Sequence, residues 1–447
     1  MAAAAGVDGL LIDVAGVRSP SAVKEQDPGS QRYWKRTEKR QWVLAYFIGN
    51  AILFASRAAM PVCVPAIAKE FSWDKTVSGT VLSVFFWGYA STQVLGGYLS
   101  DRFGGEVISM IACIGWSTIT LLYPQLLYLF SSHDTCIRFV ILCRILHGAC
   151  QGMHYPSFTS LLAHRIRETE RALAYSTVSA GSLFGALLMG CFGSIVLVHL
   201  GWHTVFYVTG VAGLLWAAVM RIFFVRRKNI VSIKSLNGSD VDEKKRPHLP
   251  WRILCRKTAF LSTVFAHVCN NNLFFIMFSW MPTYFHETYP DQKGWIFNVV
   301  PWLVSMPGSV LSGWIADSLI RKGTNVTLTR KMMEIVGMGG PVVCLLLTDY
   351  TDSFVLALMA VSMGMFSQAF HNSGVLVVPQ DIAPSFAGAV FGVMNMLGAI
   401  PGVVGVYLAG HILELTGSWA AVFHLTAVIN TFGLLVFLVY GSAERIV

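Results

Sequence analysis

Trp202-x-x-Val205-Phe206-x-x-Thr209 and Trp419-x-x-Val422-Phe423-x-x-Thr426 are the stretches whose reading decides the fold. They carry the same four residues at the same spacing, at an offset of 217 residues. Working outward, Gly181-x-x-x-Gly185 recurs as Gly398-x-x-x-Gly402 at the same offset, and Gly97-Tyr98-Leu99-Ser100-Asp101 recurs as Gly313-Trp314-Ile315-Ala316-Asp317 at 216. Three matches in sequence order make the second half of the chain a structural copy of the first.

Each half is made of apolar stretches long enough to cross a bilayer. Of the 447 residues 54% are hydrophobic and 13% charged, against about 25% charged in a soluble globular domain. That excludes an ordinary soluble protein. A spanning helix needs about 20 apolar residues, and twelve candidates run over 41–66, 77–100, 107–130, 137–163, 173–198, 203–225, 257–285, 294–316, 332–348, 353–378, 386–413 and 419–441. The expected fold is therefore an all-α membrane protein of twelve transmembrane helices in two six-helix pseudo-repeats. The expected domains are a disordered cytosolic tail (1–40), two bundles (41–225 and 257–441), a polar cytosolic linker (226–256) and a short tail (442–447). Six plus six around a polar linker is a transporter architecture.

Basic residues stay on the cytoplasmic side during insertion. Of the 33 Lys and Arg, 27 fall in the first tail, the even-numbered loops and the C-terminal tail, and four in the odd-numbered loops. Both termini are thus expected in the cytosol, with the sequons at Asn237 and Asn325 unused. The net charge of +9 follows this topology and does not indicate nucleic acid. No cleavable signal peptide is read at the start, where Asp8 and Asp13 flank the short apolar patch. Nine cysteines without a C-x-x-C pair imply neither zinc nor a disulfide framework.

The remaining two cations, Arg57 and Arg144, lie inside spans. A charge at the bilayer centre costs from about 2.5 to more than 10 kcal/mol, so it persists where it faces a cavity or a partner. Asp101, Asp317, Glu334, Asp381 and Glu414 all read as span ends. Two buried cations without buried anions point to an anionic cargo; the other reading is that each arginine pairs with carbonyls. On span four, Arg144, His147, Gln151, His154 and Tyr155 share a stripe of roughly 100°, and Tyr46, Asn50 and Arg57 share a face of span one. In span seven, His267 and Asn270-Asn271-Asn272 are expected to interrupt the helix; Gln368, His371 and Asn372 in span ten give a weaker version of that signal. Phe85-Phe86-Trp87-Gly88-Tyr89 offers either packing or a surface on which a base stacks. No phosphate-binding G-x-x-x-x-G-K-[ST] loop occurs, so no nucleotide is hydrolysed to drive transport. Neither a nucleophile nor a metal cluster suggests an enzyme, and a receptor gives no reason for the repeat.

Gly97-Tyr-Leu-Ser-Asp101-Arg102-Phe-Gly104-Gly105 resembles the G-x-x-x-D-R-x-G-[RG]-[RK] loop of the major facilitator superfamily, with Glu106 in place of the final base. The resemblance implies a cytosolic gate built on Asp101, Arg102 and Asp317. A closer resemblance rests on the run from Phe85 to Gly97, on Arg144-Ile-Leu-x-Gly-x-x-Gln-Gly152-x-x-x-Pro156 and on Gln380-Asp-Ile-Ala-Pro384-x-x-Ala-Gly388. These are similar to the anion-transporter family that contains the vesicular glutamate carriers, sialin and the type I phosphate carriers. Lys293-Gly-Trp-Ile-Phe-Asn-Val-Val-Pro-Trp-Leu-Val304 resembles its nucleotide-carrying branch. Leu82, Gln151 and Asn270 stand where the glutamate branch has His, Glu and Arg. The resemblance implies transport of ATP, ADP and GTP into secretory, synaptic-type or lysosomal vesicles, chloride as an activating anion, no cofactor, and a functional monomer. Phosphate, glutamate-like and sialic-acid-like anions are the alternative cargoes. Arg57, Arg144, His147, Gln151, Tyr155, Asn270 and Asn271 are the expected substrate residues. Because Gln151 cannot titrate, the expected transport is uniport driven by membrane potential.

Overall fold

The computed structural model describes residues 33–73, 75–129, 132–225, 250–292 and 294–446. The sequon at Asn237 and most of the 1–40 tail and the 226–256 linker lie outside them. The spanning helices, in chain order, are α1 (Arg36–Phe71), α2 (Lys75–Phe103), α3 (Gly105–Leu127), α4 (His133–Arg165), α5 (Glu168–Leu200) and α6 (Trp202–Ile222). The second half follows with α7 (Thr258–Thr288), α8 (Gly294–Arg321), α9 (Val326–Tyr350), α10 (Phe354–Ile382), α11 (Pro384–Leu413) and α12 (Trp419–Tyr440). Among the described residues eleven helices pass as spans on length and apolarity. The twelfth, α2, has 29 residues and is long enough, but Ser, Thr, Gly and Gln dilute its apolar character because it packs inside the bundle. Helices are the natural outcome for such segments, since in hydrocarbon every backbone N–H and C=O must find its partner within the segment.

The ends differ from the sequence reading. α1 begins at Arg36, inside the expected tail, where the Glu38 carboxylate accepts the Lys35 N–H (3.0 Å). At the other terminus residues 441–446 pack against the second bundle: Ala443 is buried and the Ile446 N–H donates to Ile382 O (2.7 Å). Asn325 is a helix cap, its side chain accepting the Leu328 N–H.

The repeat is visible in side-chain chemistry. Trp202 Nε1 donates to Glu70 Oε2 (2.7 Å) and Trp419 Nε1 donates to Glu287 Oε2 (3.0 Å), so each sixth helix is tied to the end of the first helix of its own half. The Gly-x-x-x-Asp repeat joins the halves to each other. A Cβ on Gly97 would lie 2.1 Å from Gly388 O, and one on Gly313 would lie 2.6 Å from Leu173 Cα. Only glycine lets α2 reach α11 and α8 reach α5 this closely. One turn further on, Asp101 accepts the Gly388 and Ala389 N–H groups (3.1 and 2.9 Å), and Asp317 accepts those of Ala172 and Leu173 (3.2 and 2.9 Å).

Span seven is an unbroken helix over Thr258–Thr288, which corrects the expected interruption at Asn270–Asn272. The break falls instead in α10, where the α-helix gives way to 3-10 turns at Ala369–Asn372 and Val375–Val377. A broken span frees backbone groups that lipid cannot satisfy. Two buried charges of α9 take them: Arg330 NH1 donates to Ser373 O (3.1 Å) and Glu334 Oε2 accepts the Val375 N–H (3.0 Å). α4 has a milder break at Met153, between Gly152 and His154.

Candidate transport site

Between the halves lies a cavity of about 270 Å³, lined by α1, α2, α4 and α5 on one side and by α7, α8, α10 and α11 on the other. Of the described lining residues Arg57 alone carries a fixed charge. Its side chain crosses three aromatic rings, with the guanidinium carbon 4.5 Å from the centre of Phe54, 4.6 Å from Tyr89 and 5.1 Å from Phe85. Arg57 Nε donates to Gln151 Oε1 (3.1 Å), which orients the planar fork, while NH2 has no hydrogen-bond partner. The arrangement presents a held guanidinium with donors to spare, which suits a phosphate or carboxylate oxygen.

Arg144 is placed differently. It is buried, its guanidinium carbon 5.0 Å from the centre of the Phe85 ring, and it does not line the cavity. Its Nε donates to Val81 O (3.1 Å) and its NH1 donates to His147 Nδ1 (3.1 Å). A guanidinium only donates, so His147 Nδ1 accepts and the imidazole carries its proton on Nε2, facing the hydroxyls of Ser56 (3.4 Å) and Thr120 (3.3 Å), while the Gln151 amide gives its own hydrogen to Leu53 O (3.3 Å). Arg144, His147 and Gln151 thus form a polar layer behind Arg57. The break at Met153 separates them from Tyr155, which does reach the cavity, its hydroxyl meeting Ser182 Oγ at 2.6 Å and Asn50 Nδ2 at 3.2 Å. Close helix packing sets this layer: a Cβ on Gly148 would lie 2.0 Å from Phe85 O, so α4 and α2 touch backbone to backbone, and the Phe85 ring lies within 5.1 Å of both guanidinium carbons.

On the opposite wall Asn270 and Asn271 line the cavity as expected. Asn271 Nδ2 donates to Gly398 O (2.9 Å) and to His267 Nε2 (3.1 Å). Ser179 and Ser182 of α5, Trp302 of α8 and Asn395 of α11 also line it; the sequence reading did not select them, although Ser179 and Ser182 are one turn apart on a helix that packs inward.

Asp101 and Asp317, the carboxylates expected to form a gate, lie at the end of the bundle that carries the first and last described residues. Besides Asp101 and Asp317, Arg171 NH1 donates to Gln380 O (2.8 Å) and lies 3.5 Å from Asp381, and Ser309 Oγ donates to Ser176 O (2.8 Å). All of these bonds cross between the halves. The Arg102 guanidinium lies over the Phe103 ring at 5.3 Å. Burial also corrects the premise that the spans hold no anions. Glu334 and Asp317 are fully buried and Asp381 nearly so, Asp381 pairing with Arg330 at 2.9 Å.

The model of the Major Facilitator Superfamily matches residues 46–406. The chain belongs to that superfamily. A major facilitator is a membrane transporter and not an enzyme, and the cross-half latch and central cavity are the parts such a carrier needs. Its similarity to the proton:xylose symporter XylE, solved with 6-bromo-6-deoxy-D-glucose, has a TM-score of 0.71 over 92% of this chain and 98% of that one. At 13% identity this shows the fold alone. In sequence it is 42% identical to the voltage-gated purine nucleotide uniporter SLC17A9 of Mus musculus, over 96% of this chain and 94% of that protein, and 41% identical to the Homo sapiens protein. The chloroplastic ascorbate transporter of Arabidopsis thaliana is 28% identical over 92% of the chain.

Proposed function

We propose that this major facilitator carries purine nucleotides, ATP foremost with ADP and GTP, by membrane-potential-driven uniport into vesicles of the secretory, synaptic or lysosomal kind. The observation that carries the reading is the Arg57 guanidinium, held by Gln151 and three rings with its NH2 left unpartnered, in the lining of a cavity whose other described lining residues carry no fixed charge. A polyphosphate supplies the missing anion, and the aromatic and amide lining supplies faces and edges for a base. The 42% identity to a purine nucleotide uniporter supports nucleotides over phosphate, glutamate or sialic acid.

In this conformation Asp101, Asp317 and Arg171 latch the halves at the end bearing the termini, so the cavity exchanges with the opposite side. The distribution of basic residues makes the latched end cytosolic. Transport requires the latch to open there, ATP to enter, and the halves to rock about the fixed site. A charge moved through 100 mV is worth about 2.3 kcal/mol, so ATP of charge −3 to −4 gains roughly 7–9 kcal/mol on entering a lumen-positive vesicle. Chloride as an activating anion and function as a monomer rest on the family resemblance. The deciding experiment is uptake of labelled ATP, phosphate, glutamate and sialic acid by the purified protein in liposomes. A potassium diffusion potential, interior positive, should drive concentrative ATP uptake with no pH gradient. Uptake driven only by a pH gradient with the potential clamped at zero would overturn the mechanism, and preference for another anion would overturn the cargo.

A further inference from the structure

A hydrogen-bonded chain of titratable groups runs from the cavity wall to the buried carboxylate of α9. Asn271 Nδ2 donates to His267 Nε2 (3.1 Å), His267 Nδ1 meets His371 Nε2 (3.1 Å), and His371 Nδ1 meets Glu334 Oε1 (2.5 Å). The two imidazole planes are parallel within 4° and their centres lie 5.4 Å apart, as an in-plane N–H···N bond requires, and both residues line the cavity. Gly398 O fixes the direction of every proton in the chain. It can only accept, so the Asn271 amide turns its nitrogen toward it (2.9 Å) and gives its second hydrogen to His267 Nε2. His267 therefore carries its proton on Nδ1 and donates to His371 Nε2, and His371 carries its own on Nδ1 and donates to an ionised Glu334.

We infer that Glu334, His371 and His267 form a proton-binding site that sets the charge of the cavity wall opposite Arg57 and so makes anion loading depend on pH. As drawn, the chain holds one negative charge. A proton arriving from the cavity at His267 Nε2 lets the Nδ1 proton pass to His371 Nε2, and the His371 Nδ1 proton pass to Glu334. The balance is one proton gained and one unit of negative charge lost, whichever member retains the proton. Arrival at Nε2 places a donor against the Asn271 amide, so Asn271 is released from the ring and becomes free to meet a ligand. The proton acts on occupancy; the membrane potential remains the driving force.

The surroundings leave this chain as the titrating element. Arg330, one turn before Glu334 on α9, is held by Asp381 and Ser373 O, and Asp381 in turn faces Arg171. From α11 the Asn395 side chain approaches the His267 ring, from α12 Asn430 donates to Met338 O, and from α7 itself Cys269 is buried against Gly433. Across the cavity stand Arg57, Tyr89, Tyr155 and Tyr175. The positions 217 residues earlier hold Asn50, Ser117 and His154, without a carboxylate, so the chain is not a by-product of the repeat. Glu334 Oε2 is already used to cap Val375 N–H; a cap alone gives no reason for two hydrogen-bonded imidazoles leading from its other oxygen to the cavity.

The test rests on the nucleotide reading for one arm only. ATP binding to the purified carrier is measured from about pH 6 to pH 8.5 for wild type, Glu334→Gln and His267→Asn. Titration of ATP itself is common to all three proteins and cancels in the comparison. Wild type should lose affinity about tenfold per pH unit above its midpoint, as one linked proton requires; both variants should lose this slope. Glu334→Gln, with no charge to neutralise, should bind at high pH about as tightly as wild type does at low pH. If Glu334→Gln fails to fold because its amide opposes Val375 N–H, His267→Asn alone decides. A wild-type slope retained in the variants overturns the proposal. The second arm needs no ligand: between about pH 8 and pH 5 the empty wild-type carrier should take up one more proton than His267→Asn. Equal uptake overturns the proton site, whereas absent ATP binding with the extra proton present overturns only the nucleotide reading.

Discussion

Replacing Asp101 by Asn tests whether the latch sets the balance between the two access states. The carboxylate accepts two backbone N–H groups at the start of α11, from Gly388 at 3.1 Å and Ala389 at 2.9 Å. An amide keeps one acceptor and turns an NH2 group toward the second donor. The loss is one hydrogen bond to a charged group, about 1.5–3 kcal/mol, and it is felt only where α2 and α11 touch. At 1.4 kcal/mol per decade, the equilibrium should move toward opening at this end by about 10- to 140-fold. Asp317→Asn should do the same through Ala172 and Leu173, and because the two contacts share no partner the double variant should add the two shifts. The assay is side-specific labelling of a cysteine at Ser179, a cavity residue, in a cysteine-free background in liposomes. Labelling from the latched side should rise and turnover should fall, with ATP affinity changed far less. Weaker binding with unchanged turnover and unchanged labelling would refute the assignment of these residues as a gate.

Arg57→Ala should abolish ATP uptake with normal insertion, and Arg57→Lys should rescue it only in part, because Lys keeps the charge but loses the fork and the Gln151 bond; normal uptake by the alanine variant would remove Arg57 from the substrate path. Arg144→Ala should lower both uptake and thermal stability, since Val81 O and His147 lose a buried donor at about 1–3 kcal/mol each; a melting temperature equal to wild type would show that Arg144 is not a packing element. Gly97→Val places a side chain where Gly388 O stands, so the latched state should be lost and uptake with it; labelling unchanged from wild type would refute the close approach. Trp202→Phe and Trp419→Phe each remove one bond to an exposed carboxylate at the helix ends and should each cost about 0.5–1.5 kcal/mol, read as falls in thermal stability, the larger at the buried Trp202.

Twelve helices, the pairing of halves and the Gly-x-x-x-Asp contacts between them were legible in the chain because each is written locally. Hydropathy over about 20 residues is enough to commit a segment to the bilayer. A glycine one turn before an aspartate already specifies a helix that approaches another backbone and caps it. Arg57 and Arg144, by contrast, look alike in sequence: each is a midspan cation on a polar face. Only packing separates them: Arg57 lines the cavity, whereas the close approach of α4 to α2 at Gly148 sets Arg144 against Val81 O and His147, out of the lining. The broken helix was also a tertiary decision. α7 stays helical through its three asparagines, of which Asn271 binds Gly398 O on α11, whereas α10 can break because Arg330 and Glu334 of α9 stand ready to take its freed carbonyl and amide. Sequence placed Glu334 and Asp381 at span ends. Burial made them interior charges, since a carboxylate is compatible with the membrane interior only when partners from distant segments, such as His371, Arg330 and Arg171, meet it in the folded bundle.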